Sequence, residues 1–454
     1  MESNVENRSD GNKAQNKTVS RRSFLSGVLG AAAFTVVSPH VVGANGKTPP
    51  SEKLNIAGVG VGGRGRADVG GCDSENIVAL CDVDKKRAAG TFKKYPKAKQ
   101  YSDFRRMLDK EGDNIDAVVV ATPDHTHAVV GAAAMKSGKD VYIEKPLTHS
   151  LWEARQLGEI AEKTGAVTQM GNQGHSKDSV RKCREWVETG VIGTVREVHC
   201  WTNRPIWPQG EVKSPKNSVP DTLDWDLWLG PAKKRPYSPA YLPFDWRGWQ
   251  DFGTGAFGDM GCHIMDMPFY ALQLGHPVRA EAISSKLYDA TYPESTVVRY
   301  EFPARDGKPG VNFSWYSGGL KPPIPDSAPS QAKLGGNGVI LIGDKGALVS
   351  GNYGSDARIY PLSKMRSVND TPKKYSRVRT SHHKSWINAC KKGEPDKPAS
   401  NFSYSVPLTE TVLLGTVAIL AQRPLEWDAK NLKVTNVPEA NRFVRDDYRK
   451  GWRL

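Results

Sequence analysis

The side chains best suited to moving a proton and a hydride fall in three stretches of this 454-residue chain. Asp140-Val141-Tyr142-Ile143-Glu144 has strand character and runs into Lys145-Pro146, so a lysine stands where proline ends the strand. Further along, Gly258-Asp259-Met260-Gly261-Cys262-His263-Ile264-Met265-Asp266-Met267-Pro268-Phe269-Tyr270 reads as a helix. At about 100° per residue, Asp259, His263, Asp266 and Tyr270 share an arc of roughly 60° beside an apolar stripe of Met260, Ile264, Met267, Ala271 and Leu274. One stripe packs and the other can face a cleft. Pro268 predicts a kink or irregular turn near Ile264. The third stretch, Gly58-Val59-Gly60-Val61-Gly62-Gly63, is a G-x-G-x-x-G turn whose backbone can approach a pyrophosphate. An imidazole titrates in the right range to take a hydroxyl proton, and an ammonium stabilises alkoxide charge. The two suit oxidation of a secondary alcohol by hydride transfer to a nicotinamide. By residue type alone, His263 reads equally as a core histidine and Lys145 as a solvated one.

The elements around these residues form a repeating strand–helix pattern. Leu54 to Val59 is a strand entering the glycine turn, and Ile77 to Cys81 is the next, ending in Asp82. An acid there can bind both hydroxyls of an adenosine ribose and repel a 2′-phosphate, which favours NAD. Arg64, Arg66, Lys85, Lys86 and Arg87 lie near enough in sequence to keep NADP possible. Ala117 to Ala121 is an unbroken apolar strand of the kind buried on both faces of a parallel sheet. It ends in Thr122-Pro123-Asp124-His125-Thr126-His127, a loop expected to line the cofactor crevice. The last strand of this half runs out at Gln169-Met170-Gly171-Asn172-Gln173, after which a helix from His175 and a strand from Val195 open the second half.

Trp201, Trp207, Trp225, Trp228, Trp246 and Trp249 crowd the next segment, which is rich in proline and reads as long ordered loops. Indole faces suit pyranose rings as well as a core. Gly335 to Gly351 reads as a hairpin around Gly343-Asp344-Lys345-Gly346, His382 and His383 as surface residues opening a helix, and Thr409 to Ala421 as an apolar helix against the nucleotide half.

Gly58-x-Gly60-x-x-Gly63, Asp82, Ala121-Thr122-Pro123 with His127, and Glu144-Lys145-Pro146 together resemble the Gfo/Idh/MocA oxidoreductases over about residues 53 to 425. The resemblance implies an α/β protein: an N-terminal Rossmann doubly wound parallel sheet (53–173), then an α/β domain (174–430) on a large open, mostly antiparallel sheet whose exposed face makes oligomer contacts. A homo-oligomer, dimer or tetramer, is therefore expected, with residues 431–454 as an arm across a neighbouring subunit. It also implies that Asp259 and His263 share the active site with Lys145. In that reading His263 is the base, Lys145 stabilises the alkoxide, and Asp259 orients His263 or binds a neighbouring hydroxyl. Gly58, Gly60, Gly63, Arg64, Asp82, Thr122, Pro123, His127, Glu144 and Asn172 are the expected cofactor-binding residues. His175, Tyr270, Trp201 and Trp207 are expected at the substrate, and no metal is needed.

Ser20-Arg21-Arg22-Ser23-Phe24-Leu25, the uncharged run Ser26 to Pro39 and the exit Val42-Gly43-Ala44 predict a twin-arginine export signal over residues 1–44. The run is too short and too rich in Gly and Ala for a stable membrane span, so a soluble periplasmic or extracytoplasmic protein is expected. Net charge falls from +14 to +12 without this segment. The basic residues are dispersed, with no nucleic-acid recognition motif. The six cysteines show neither CxxC pairing nor zinc spacing. Outside the cytoplasm free nicotinamide cofactor is not expected, which favours a tightly held cofactor reset in each cycle. The resemblance implies a sugar, polyol or glycoside as the substrate class. A glycosidase using transient oxidation, elimination, hydration and re-reduction is the alternative, and a non-catalytic sugar-binding protein the second.

Overall fold

The computed structural model describes residues 52–329 and 331–454, so the export signal over 1–44 lies outside the described residues. Six parallel strands form the first sheet: β1 (Asn55–Val59), β2 (Asn76–Cys81), β3 (Lys99–Tyr101), β4 (Ala117–Val120), β5 (Asp140–Ile143) and β6 (Thr168–Met170). Their order is β3-β2-β1-β4-β5-β6. The chain therefore reverses direction across the sheet between β1 and β4, and the crevice outside those two strand ends is where such sheets bind ligands. β4 and β5 are buried along their whole length, as their unbroken apolar runs require.

The second sheet has nine strands: β7 (Val195–Trp201), β8 (Arg279–Ser284), β9 (Thr296–Phe302), β10 (Val311–Ser317), β11 (Gly338–Gly343), β12 (Gly346–Ser350), β13 (Arg358–Tyr360), β14 (Leu425–Asp428) and β15 (Lys433–Val434). Only β7 and β10 pair parallel; the other neighbours are antiparallel, and the expected hairpin joins β11 to β12. The Phe402–Ala421 helix fills the space beneath this sheet. It packs on the Leu151–Thr164 helix of the first half, on β8 and on the Gly255–Ile264 helix. Gly415 permits the contact, since a Cβ there would lie 2.1 Å from the Tyr300 hydroxyl and from Phe257. The helix is apolar enough to cross a membrane by composition, but most of it is buried in this core.

The tryptophans between 225 and 249, whose indoles suit a ring or a core alike, mostly pack in a satellite core with Tyr241 and Phe252. Two expectations need correction. His382 is buried, bonded to the Ser176 hydroxyl at 2.6 Å and the Met170 carbonyl at 2.8 Å, and His383 stacks on Tyr142, because this helix closes over the edge of the first sheet. The tail from Asn431 packs on its own chain: Asp446 meets His149 at 2.7 Å, and the Tyr448 hydroxyl donates to Glu153. All six cysteines are buried, and among the described residues none forms a disulfide.

Candidate active site

The glycine turn leaves β1 with Gly60 at φ +75°, a conformation that favours glycine. A Cβ on Gly60 would sit 2.7 Å from the Thr122 amide nitrogen, so the β1 and β4 loops touch backbone to backbone there. Gly65, outside the expected fingerprint, is more tightly constrained than Gly60: its Cβ would fall 1.8 Å from the Gly60 carbonyl oxygen. Asp82 follows β2 and accepts from the amides of Gly62 at 3.0 Å and Asp84 at 2.9 Å, which aims its carboxylate at the turn. Arg64, on the first turn of the Gly63–Gly70 helix, donates to Glu144 at 3.1 Å and pairs with Asp68 at 2.7 Å. Gln173 also donates to Glu144, at 2.6 Å. Burial, reinforced by the nearby charge of Asp68, pushes Glu144 up to about 7. His127 lies between the carbonyls of Thr122 and Pro146, 2.8 Å from each, and so ties the β4 and β5 loops together.

Beyond β5, Lys145 reaches the second half. Its Nζ donates to Asp259 Oδ1 at 2.7 Å and to the Asp259 carbonyl at 2.9 Å. Arg247, from the Asp245–Gly248 turn, donates to the same carboxylate oxygen at 3.2 Å, with its guanidinium over Trp246. Burial alone would lower the Lys145 pKa, but the carboxylate outweighs it and holds the ammonium above its ordinary value. Burial would likewise raise Asp259, and the two cations instead hold it well below the usual carboxylate range. His263 stands one helical turn on from Asp259, at the cavity wall, with the Tyr353 ring edge-on at 5.4 Å. Its Nδ1 is buried without a hydrogen-bond partner. Burial first, then the charge of Lys145, push its pKa down to about 3, so the ring is neutral. Asp259 therefore acts on Lys145 and Arg247, not as a hydrogen-bonded orienter of His263.

The helix breaks at Met265, where Pro268 predicts irregularity, and this divides the expected polar stripe. Asp266 turns into a separate buried network, bonded to Asn172 at 3.1 Å, His175 at 2.8 Å and the Tyr404 hydroxyl at 2.8 Å, with Tyr270 edge-on to His175. Asn172, His175 and Tyr270 thus back the site and do not line its cavity. Trp201 is a sheet residue bonded to the Gly335 carbonyl, and Trp207 is buried beside Phe244 and Arg247; neither lines the cavity.

One cavity of about 490 Å³ joins these parts. It runs from Asp82 and Asp84 past Gly60, Gly63, Thr122 and Pro123 to Lys145, Arg247, His263 and Tyr353. The residues fit a dinucleotide: a turn that a Cβ would fill, a carboxylate at the β2 end and a helix start beside the turn. Sequence reasoning missed Arg247, Trp246, Tyr353 and Gln173 at the wall; only the indole enrichment around residues 201–249 pointed toward the first two. Among the described residues no three His, Cys, Asp or Glu side chains converge as a metal cage.

Residues 54–172 match the oxidoreductase family's NAD-binding Rossmann fold, and residues 176–296 match its C-terminal alpha/beta domain. Among curated proteins, the chain is 31% identical over 153 residues to an inositol 2-dehydrogenase of Rubrobacter xylanophilus, covering 32% of this chain and 42% of that one. It is 24% identical over 192 residues to the levoglucosan dehydrogenase of Pseudarthrobacter phenanthrenivorans, covering 42% and 41% respectively. The chain thus spans less than half the length of these relatives. Among solved structures, the WlbA dehydrogenase of Bordetella pertussis, in complex with NADH and UDP-GlcNAcA, aligns at a TM-score of 0.57 and 16% identity, over 83% of this chain and 99% of that one. A levoglucosan dehydrogenase with NADH and L-sorbose aligns at 0.54 and 16%, over 82% and 98%. At such identities the structures share the fold, while the two consecutive sequence matches extend from the glycine turn through Lys145 to His263: this chain belongs to the Gfo/Idh/MocA oxidoreductase family.

Proposed function

We propose that this protein is an NAD-dependent oxidoreductase that oxidises a CH–OH group of a sugar or polyol. The observation that carries this reading is the single cavity in which the glycine turn and Asp82 lie at one end and Lys145 and His263 at the other. When bound there, NAD supplies the hydride acceptor. Gly60 to Arg64 and Asp82 would hold its pyrophosphate and ribose, and Thr122 and Pro123 would wall the nicotinamide half. Lys145 and Arg247 share one carboxylate, so the substrate end carries cationic donors that hold the reacting oxygen and stabilise alkoxide charge. With Lys145 kept protonated, the His263 imidazole at the cavity wall is the group with a free lone pair to take the hydroxyl proton, and the substrate's alkoxide charge must offset the burial that disfavours its imidazolium. Trp246 and Trp228, packed in the satellite core, also edge the cavity and give its wall flat apolar faces against which a sugar ring can pack.

The finer reading includes a tightly held cofactor, export by the twin-arginine segment Ser20-Arg21-Arg22-Ser23-Phe24-Leu25 to the periplasm, and a dimer or tetramer. The export motif supports the second, and the broad nine-stranded sheet offers a face for the third. The test is a panel of sugars, polyols and glycosides followed at the reduced-cofactor absorbance, with nucleotide released from denatured protein identified by mass spectrometry. Reduction by a neutral sugar or polyol supports the reading. Nucleotide-free protein with no reduction across the panel, with NAD added, overturns it. Cell fractionation of the full chain against an Arg21→Lys, Arg22→Lys variant tests export.

A further inference from the structure

The end of the cavity beyond Asp82 is not walled by the nucleotide half alone. Two segments distant in sequence complete it: Leu227 on the Trp225–Leu229 helix, and Trp452 near the C-terminus. The helix is fastened to the β2 exit, where the Asp224 amide donates to the Val83 carbonyl at 2.9 Å and the Lys85 amide to the Thr222 carbonyl at 3.0 Å. The tail is fastened to the helix. Arg449 pairs with Asp226 through Nη1 at 2.7 Å and Nη2 at 3.2 Å, and its amide donates to the Pro231 carbonyl at 3.0 Å. Trp452 follows one turn on, tilted against Phe104 at 6.2 Å and covered by the Arg105 guanidinium at 4.5 Å.

We propose that the Trp225–Leu229 helix and the Arg449–Trp452 segment form a clasp over the adenosine end of the bound dinucleotide, and that opening of this clasp sets the rate of cofactor exchange. The inference rests on the NAD reading above and adds residues that no nucleotide fingerprint contains. Trp452, Phe104 and Leu227 give a flat base the aromatic and aliphatic surface it stacks on, next to the carboxylate that receives its ribose. The latch suits reversible opening. Arg449 also donates to the carbonyls of Gly230 and Asp226, but the Asp226 carboxylate is 62% exposed, so the ion pair itself is screened by solvent. A strap made from the protein's own tail also offers a route to a cofactor that stays bound through many turnovers.

The test uses the full chain, comparing wild type with Trp452→Ala, Trp452→Phe and Arg449→Gln, each checked for wild-type circular dichroism. Release of NAD and of ADP-ribose is followed after rapid dilution, and affinity for ADP-ribose and nicotinamide mononucleotide is measured by calorimetry. We expect Trp452→Ala and Arg449→Gln to release both dinucleotide and ADP-ribose about tenfold faster, equivalent to about 1.4 kcal/mol. Trp452→Phe should stay near wild type, and mononucleotide affinity should be unchanged in all. Wild-type release rates in both Trp452→Ala and Arg449→Gln overturn the clasp while leaving the NAD reading intact. A wild-type protein that binds neither NAD nor ADP-ribose overturns both.

Discussion

Asp259→Asn isolates the electrostatic centre of the site. The substitution keeps the side-chain shape and an acceptor oxygen but removes the charge that Lys145 and Arg247 share at 2.7 and 3.2 Å. At an effective dielectric constant of about 20, each contact has a Coulomb energy of roughly 5–6 kcal/mol. Desolvation offsets much of it, and removing one partner of a buried pair costs about 3–5 kcal/mol because the remaining charge is left uncompensated. Here the remaining charges are two cations, so the lysine pKa falls toward the value burial alone would give, and its ammonium is lost at lower pH. Turnover should drop about 10²–10³-fold, the scale on which a single oxyanion donor acts. The alkaline limb of the pH–rate profile should also move to lower pH. The stability effect has a definite sign. The Asp259 pKa is depressed in the fold, so its contribution is present above the unfolded value of about 4 and is lost as pH falls below it. The difference in melting temperature between wild type and Asp259→Asn should therefore be largest near neutral pH and shrink in acid. Equal turnover within threefold, together with a pH-independent stability difference, would refute the reasoning.

Replacing His263 by Asn should lower turnover about 10²–10⁴-fold while calorimetry shows NAD affinity unchanged, since the ring is assigned to proton transfer and not to holding the cofactor. Because burial and the charge of Lys145 push that ring down to about 3, wild-type turnover should show no acid limb near pH 6.5. Gly60→Ala places a Cβ 2.7 Å from the Thr122 nitrogen at φ +75°, so a destabilisation of about 1–3 kcal/mol and a sharp loss of NAD affinity are expected in denaturant melts and titration. For His149, burial opposes the charged ring but Asp446 outweighs it and raises the pKa to about 10. Its stabilisation is complete below about pH 6.5, the unfolded value, and is lost as pH rises toward 10. His149→Gln should therefore flatten the alkaline side of the melting profile.

The nucleotide half was legible residue by residue because its rules are local. A G-x-G-x-x-G turn between an apolar strand and a helix, an acid at the end of the next strand, and continuous apolar runs at β4 and β5 depend on neighbours within a few residues, and each lies where those rules put it. The second half was legible in outline only. Its hairpin and the break near Pro268 follow from chain stiffness, but the break itself made the helical arc a poor guide: past Met265 the axis changes, and Asp266 takes His175 and Asn172 into a network behind the cleft. The tryptophan cluster shows the same limit, since composition reports that indoles are present and not whether they face a ligand or one another. By itself, then, the sequence determined the cofactor turn, the lysine at the strand end and the Asp259/His263 spacing. Only the tertiary structure decided that Asp259 serves Lys145 and Arg247, that His263 is neutral, and that Trp452 reaches the cavity. The reason is physical: charge state follows from burial and from partners more than a hundred residues away, neither of which a local pattern contains.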